Sequence, residues 1–395
     1  MKYVIVILDG AAGWPLARFG GHTTLSSANT PHLDALARKG RVGCAQTVPA
    51  GAEPSSSAAC TSILGYDPVA DFVGRGAIEA ASMGIMLEPG QIALRLNLVN
   101  IEDGIMRSYS CGSISTEESN AIVLDIASSL DDATFKLYPG VAYRHILVVS
   151  GHPELLEVSY TPPHDISDRG VAPYMPKGPG AGLLLDYMSR AKRLLENSGV
   201  NRCRIAEGSL GATDVWPFWP GAKPGSLLSF HEARGLTAAM SSGVDLLNGL
   251  AVLTGMDRLS IPGVTGGPDN DYEAQAAGSL AALEDHDLVV IHVESPDEEG
   301  HEGNAQGKVE AIEAIDNFII AAVRDRAASG DVRILAMPDH PTPVEIKTHV
   351  GEAVPFVLWG PGIKHNGASS YDEESATSTH LLLDPGRRVM DELLG

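Results

Sequence analysis

The sequence predicts an α/β fold: a mostly parallel sheet flanked by helices, with a smaller α+β domain inserted into it. Three observations lead there. Short apolar runs of strand length recur at Tyr3–Leu8, Arg144–Val149, Leu288–Val293, Val332–Met337 and Val354–Trp359. Stretches of helical periodicity lie between some of them, and that alternation is the mark of a largely parallel sheet. The middle of the chain then changes character. Residues 92–205 carry Ser-rich and Pro-rich pieces such as CGSISTEES, TPPHDISDRG and PKGPGAG. They are assigned to a second, inserted domain, with 1–91 and 206–395 forming the domain that carries it.

Two helices can be read in detail. TPHLDALARKG, residues 30–40, has Thr30 as its N-cap, Pro31 in the first turn and Gly40 as its stop. Residues 308–328 place Val309, Ile312, Ile315, Ile319 and Ala322 on one face. A length of 395 residues exceeds what one core usually spans, and a hydrophobic share of 44% supplies enough apolar surface to bury more than one.

The formal net charge of −22 excludes nucleic acid and anionic membrane surfaces as partners, since both demand clustered Lys and Arg. A small anionic substrate stays compatible, because a few arginines or bound metal ions reverse the local field. Cys44, Cys60, Cys111 and Cys203 form no CxxC pair and read as reduced structural thiols. The opening MKYVIVILDG meets an Asp after a short apolar run, so it reads as neither signal peptide nor membrane span. The expected location is the cytoplasm, and a homo-oligomer is compatible with the composition.

The chemistry sits at strand ends. YVIVIL runs into Asp9, LVVIHVESP into Asp297 and then His301, and VRILAMP into Asp339 and His340, with His349 just before VPFVLW. Singly, each has a structural explanation: a turn, an exposed acidic loop, a helix cap. Together they occupy three strand ends, and ligands of open α/β sheets bind beyond the carboxyl ends of strands. Three carboxylates and three imidazoles suffice for two divalent metals, and mixed His/Asp ligation suits Mn, Zn, Co or Fe better than Ca. Two such ions can clamp the attacking and leaving oxygens of a phosphoryl transfer. A nucleophile is expected in PSSSAACT, where a loop enters a helix and amide groups favour phosphate; composition does not choose among Ser55, Ser56 and Ser57. Trp216, Phe218 and Trp219 are expected in the core.

The landmarks ILDGAAGWPL, TPHLDALA, PSSSAACTSILGYDP, GRGAIEAASMGI, YRHILVV, TPPHD, GVDLLNGLA, IPGVTGG, HVESPDEEGHEG, PDHPTP and HVGEAVPFVLWGPG span essentially the whole chain. In them the sequence resembles the cofactor-independent phosphoglycerate mutases of archaeal type and their bacterial relatives, some proposed as homoserine kinases, within the alkaline phosphatase superfamily. The resemblance implies an alkaline-phosphatase-like core and two divalent ions, Mn foremost with Co, Zn or Mg as alternatives. It implies no nucleotide and no 2,3-bisphosphoglycerate. Asp297, His301 and His349 would hold one ion; Asp9, Asp339, His340 and the nucleophile, placed at Ser56, the other. The implied reaction interconverts 3-phosphoglycerate and 2-phosphoglycerate, a small phosphorylated metabolite, through a phosphoserine, with the insertion closing over the substrate.

The chain departs from the archaeal pattern at Ser57, where an Asp is usual, and in MRSYSCGSI, where Arg107 alone remains of an arginine-rich turn. Arg75, Arg95, Arg144, His164 and Asp165 are the remaining candidate substrate contacts. Competing activities are a homoserine-kinase-like phosphotransferase, which would work without a P-loop, and a metal-dependent phosphatase. A non-catalytic metal-binding protein is a further alternative, against which the full set of ligands and nucleophile counts.

Overall fold

The computed structural model describes residues 1–71 and 73–395. In chain order the strands are β1 (Lys2–Leu8), β2 (Arg41–Ala45), β3 (Gln91–Glu102), β4 (Ile105–Ser108), β5 (Phe135–Val141), β6 (Arg144–Ser150), β7 (Asp214–Gly221), β8 (Ala238–Ser241), β9 (Asp257–Arg258), β10 (Leu288–Val293), β11 (Val332–Met337), β12 (Val354–Trp359) and β13 (Leu382–Leu383). The helices used below are α1 (Pro31–Ala37), α2 (Ser56–Ile63), α3 (Arg75–Ser82), α4 (Thr116–Leu130), α5 (Ala181–Asn197), α6 (Ser295–Glu302), α7 (Ala305–Ala314) and α8 (Ala321–Ala327).

The chain divides into two units, Met1–Phe72 with Ser226–Gly395, and Val73–Gly225. These borders lie outside the expected 92–205 on both sides. The reason is pairing. β7 runs antiparallel along β3 from Ala93 to Val99, so the WPFW segment belongs to the insertion's sheet. The α3 helix also joins this unit: Gly76 sits so close to β3 and β7 that an added Cβ would meet the carbonyl oxygens of Ala93 and Trp219 at 2.3 and 2.6 Å.

The first unit is built on an eight-stranded sheet in the order β13-β2-β12-β11-β1-β10-β8-β9. β1 lies between β10 and β11 and is parallel to both. Only β12 runs against its neighbours, so the sheet is mostly parallel as expected. β1 and β10 are buried on both faces, which is why they read as near-continuous apolar runs, His292 in β10 excepted.

Two helix expectations change in detail. Thr30 makes no side-chain cap; the Asp316 carboxylate accepts from the His32 and Leu33 amides instead, at 3.0 and 2.7 Å. Gly40 stops the helix through close approach rather than a left-handed turn, since a Cβ there would meet the Leu358 carbonyl oxygen at 2.2 Å. The long helix predicted over 308–328 is α7 and α8 joined by a π segment, Ile315–Ile320. The wider turn shifts the buried stripe, so Ile320 and Val323 are fully buried while Ala322 is only partly so.

The second unit is an antiparallel five-stranded sheet covered by α4 and α5. β3 is its central strand, pairing with β6 and β7, and with β4 near its end. α4 begins with a capping box between Ser115 and Glu118 and buries Ile122, Val123, Ile126 and Leu130. His145 on β6 is buried and linked to this helix. Its Nδ1 accepts from the Gly140 amide at 3.1 Å, so its Nε2–H donates to Ser119 Oγ at 2.8 Å. Burial pushes the imidazole down to about 3.

The sign of that shift gives a pH prediction. The folded state keeps His145 neutral, whereas the unfolded chain protonates it below its ordinary value of 6.5. Stability is therefore intact above pH 6.5 and is lost as pH falls toward 3, by about 1.4 kcal/mol per pH unit from this one group. Denaturant titrations at pH 6.5, 5.5 and 4.5 should show a shallower acid slope for His145→Gln than for the parent. Equal slopes would remove His145 as the cause.

Candidate metal centre

The loop ends of β1, β10 and β11 carry a cluster of buried ionisable groups. Asp9 follows β1 directly and is fully buried. The chain can turn there because Gly10 adopts φ +60°, and a Cβ at that position would meet Asp297 Oδ1 at 2.3 Å. Asp339 and His340 follow β11 and are also fully buried. The Asp339 carboxylate accepts from the Gly10 and His340 amides at 3.1 and 2.8 Å, which ties the two strand ends together. The acidic run after β10 is a helix rather than an exposed loop: α6 sets Asp297 and His301 one turn apart on the same face, with Asp297 buried.

The predicted ligands come together. His301 Nε2 lies 3.0 Å from Asp297 Oδ2, and His349 Nε2 lies 3.6 Å from Asp297 Oδ1. His340 Nε2 is 3.3 Å from Asp339 Oδ2 and 3.6 Å from Asp9 Oδ1. Groups close enough to hold a metal ion include Asp297 with His340 and His349, and Asp9 with Asp339 and His340. Ser56, the first residue of α2, places its Oγ 3.1 Å from His340 Nε2 and is buried. Ser55 is the N-cap, its Oγ accepting from the Ala58 amide, and is only half-buried. Ser56 is thus the serine whose oxygen faces the cluster.

The donor chemistry fits a cation. His301 Nδ1 faces the Lys347 carbonyl at 3.0 Å and His349 Nδ1 faces the Pro54 carbonyl at 3.3 Å. A carbonyl only accepts, so Nδ1 carries a proton in both rings, which leaves Nε2 as the atom able to present a lone pair to a metal ion. The two Nε2 atoms stand 2.9 Å apart, close enough to share either a proton or a cation. Without a metal ion, Nε2 is protonated instead and donates: burial works against ionisation of Asp297, but hydrogen bonds from His301 and His349 hold it well below the usual carboxylate range. The same hydrogen bond raises His301 to about 9. Asp9 moves the other way. Burial, then the charges of Asp339, Glu294 and Asp297, push it well up, and its buried Oδ1 has no hydrogen-bond partner among the described residues. A divalent ion would relieve this repulsion and supply the missing partner.

Three functional-site neighbours escaped the sequence reading. His292, inside β10, lies 2.7 Å from Asp9 Oδ2 through Nε2 and 3.0 Å from Ser242 Oγ through Nδ1. Burial lowers it to about 4, so the neutral ring donates to Asp9 and orients that carboxylate. Glu294 follows it, pushed up to about 7 chiefly by burial. The signal was an ionisable residue inside the apolar run LVVIHV. Lys308 is fully buried, and its Nζ donates to the carbonyls of Ala12 and Thr342 at 3.1 and 2.7 Å, joining the loops after β1 and β11. Its signal was a cation on the apolar stripe, one turn before Ile312.

The candidate substrate contacts lie in the second unit and form their own cluster. Arg75 Nε and Arg95 Nη1 both reach Glu79 Oε1, at 2.9 and 3.0 Å. Arg95 is buried, and its Nε has no partner among the described residues. Burial, then the neighbouring charges of Arg75 and Arg144 against that of Glu79, lower the Arg95 guanidinium from its ordinary value. Arg144 is exposed beside the Tyr143 ring. His164 stands 3.7 Å from the exposed Asp165 and edge-on to Trp219 at 5.5 Å. Burial and the nearby Arg95 and Arg75 outweigh Asp165 and lower its pKa. Of the WPFW segment, Trp216 and Phe218 are core as expected. Trp219 departs from it: the residue is only partly buried, and the Arg75 guanidinium lies 4.0 Å from its ring centre.

Comparison with known proteins agrees with this architecture. The family model for 2,3-bisphosphoglycerate-independent phosphoglycerate mutase matches residues 37–201. A Geobacter sulfurreducens protein named probable 2,3-bisphosphoglycerate-independent phosphoglycerate mutase is 42% identical, covering 100% of both chains. The Methanothrix thermoacetophila protein named 2,3-bisphosphoglycerate-independent phosphoglycerate mutase is 41% identical over 95% of each chain. Among solved structures, the cofactor-independent phosphoglycerate mutase of Thermoplasma acidophilum superposes with a TM-score of 0.73 at 27% identity, covering 100% of this chain and 99% of the other. With full-length identity at this level, the chain belongs to the 2,3-bisphosphoglycerate-independent phosphoglycerate mutase family.

Proposed function

We propose that the chain interconverts 3-phosphoglycerate and 2-phosphoglycerate through a phosphoserine at Ser56, using neither nucleotide nor 2,3-bisphosphoglycerate. The observation that supports it most is the buried Ser56 Oγ at a helix start, 3.1 Å from His340 Nε2 amid three carboxylates and three imidazoles. Two divalent ions fit these donors. Asp297, His301 and His349 would hold one, and Asp9, Asp339, His340 and Ser56 the other; mixed nitrogen and oxygen ligation suits Mn, Zn, Co or Fe, and the family resemblance puts Mn first. Bound there, they would supply positive charge to the phosphoryl oxygens and lower the pKa of the serine hydroxyl.

The residues divide the rest of the work. Ser56 Oγ attacks phosphorus; its bond to phosphorus forms as the bond to the substrate's 3-oxygen breaks, and the serine proton ends on that oxygen. Glycerate then turns, its 2-hydroxyl attacks the phosphoserine, and the proton returns to Ser56. The amides at the start of α2 favour the transferring phosphoryl group. His292 keeps Asp9 oriented throughout. Arg75, Arg95, Arg144 and His164 are assigned to an anionic group of the substrate, because guanidinium groups grip carboxylate and phosphate through paired N–H bonds. The remainder of the second unit serves to exclude water from the phosphoserine.

The test is direct. Mn-loaded protein is incubated with 3-phosphoglycerate and no nucleotide, and the phosphorus NMR spectrum is followed. Appearance of 2-phosphoglycerate is the expected result. Release of inorganic phosphate alone would replace the mutase with a phosphatase, and an unchanged spectrum in metal-loaded protein would refute both.

A further inference from the structure

Trp219 occupies an unusual place in the second unit. Along the β3–β7 ladder Arg95 faces Phe218 and Leu94 faces Pro220, so Trp219 is the extra residue of a β-bulge. It adopts φ +46°, in the left-handed region, and it precedes a proline, where extended backbone is preferred. Bulges of this kind re-aim a side chain and collect beside functional sites, and a strained residue persists only where its surroundings hold it. The surroundings here are glycines. A Cβ on Gly221 would meet the Gly74 carbonyl oxygen at 2.2 Å, so the start of α3 docks directly on the bulge backbone. That docking brings Arg75 over the indole.

Two arginines and a histidine surround this one ring. Arg75 lies 4.0 Å and Arg95 5.4 Å from its centre, with the His164 ring 5.5 Å away. The Phe218 ring, 4.7 Å off, backs it from the core. Glu79 accepts from Arg75 Nε and Arg95 Nη1, and among the described residues the buried Arg95 Nε has no partner, while Arg75 is half exposed. A guanidinium stacked on an aromatic face loses its rotational freedom while keeping its N–H edge open.

We propose that Trp219 is the positioning residue of the anion grip. Its out-turned indole holds Arg75, Arg95 and His164 in one orientation, so that their free N–H groups meet a carboxylate or phosphate oxygen of the substrate together. This inference rests on the assignment of the arginines to substrate. Trp219 itself donates nothing to the reacting atoms and acts through the arginines it holds.

Steady-state kinetics on the Mn-loaded full-length protein test it. Trp219→Leu should raise KM for 3-phosphoglycerate about tenfold, the equivalent of a lost cation–π contact, with kcat within about threefold. Trp219→Phe keeps an aromatic face and should restore KM to within about threefold of the parent. In a Ser56→Ala background, which binds without turnover, 3-phosphoglycerate should change tryptophan emission, and the added Trp219→Phe should abolish that change. An unaltered KM in Trp219→Leu, or parallel losses in kcat and stability that Trp219→Phe does not rescue, would overturn the positioning role. Arg75→Ala separates the two readings. If it raises KM while Trp219→Leu does not, only the Trp219 inference fails; if it leaves KM unchanged, the arginine assignment itself fails.

Discussion

Ser56→Ala should abolish mutase turnover, with a loss on the order of 10⁴-fold or more, the scale seen when a covalent nucleophile is removed. The geometry separates this serine from its neighbours. Ser56 Oγ faces His340 Nε2 at 3.1 Å, whereas Ser55 Oγ accepts from the Ala58 amide as a helix cap. Ser55→Ala should therefore cost about 1 kcal/mol of stability and little activity. Ser57→Ala should leave turnover largely intact. Phosphorus NMR on all three variants, each checked for metal content, makes the comparison. A Ser56→Ala protein that still turns over within tenfold of the parent would end the phosphoserine route. Bound metal should survive this change, because Asp9, Asp339 and His340 remain around the same point.

The second large effect is at Asp9. This carboxylate sits near Asp339 and His340 on one side and near His292 and Glu294 on the other, and both sets are close enough to share an ion with it. Asp9→Asn keeps the shape and still accepts from His292, but removes the charge. The metal-loaded variant should drop from two ions per chain to one and lose on the order of 10³-fold in kcat, the several kcal/mol expected of a lost metal at the reacting oxygens. The chelator-stripped protein should respond the opposite way. Burial and the charges of Asp339, Glu294 and Asp297 make an ionised Asp9 unfavourable there. Metal-free Asp9→Asn should therefore melt above the metal-free parent. Elemental analysis and thermal melts with and without chelator report both signs. Two ions per chain with full activity in Asp9→Asn would sink the two-metal reading.

These two predictions draw on different parts of what the sequence exposes. The strand ends were legible because a parallel sheet buried on both faces writes itself as apolar runs, and a ligand has to stand where the run stops. Asp9, Asp297, Asp339 and His340 were all found that way. The boundaries Leu288–Val293 and Val332–Met337 coincide with β10 and β11 for the same reason, and Val354–Trp359 coincides with β12 because that antiparallel strand is buried as well. His292 was passed over because it lies within a run rather than after it, and only the β1–β10 register brings it beside Asp9.

Packing decided the rest. Local spacing cannot reveal that Asp316 caps α1 from 284 residues away, or that Lys308 turns inward to bind two loop carbonyls. The borders of the insertion were misjudged because composition changes at residues 92 and 205, while hydrogen bonding does not. β7 looks like part of the first unit until its ladder with β3 is seen. Trp219 is the clearest case. By sequence it is one more aromatic in WPFW, and alternation alone would bury it or expose it by register. A bulge adds one residue to the strand and turns the indole onto Arg75 instead. By itself, then, the sequence determined the sheet, its strand ends and the ionisable residues that gather there, because burial period and residue chemistry are local properties. Which serine faces the cluster, what orients Asp9 and what holds the arginines were decided by the tertiary structure, because each depends on contacts between segments far apart in the chain.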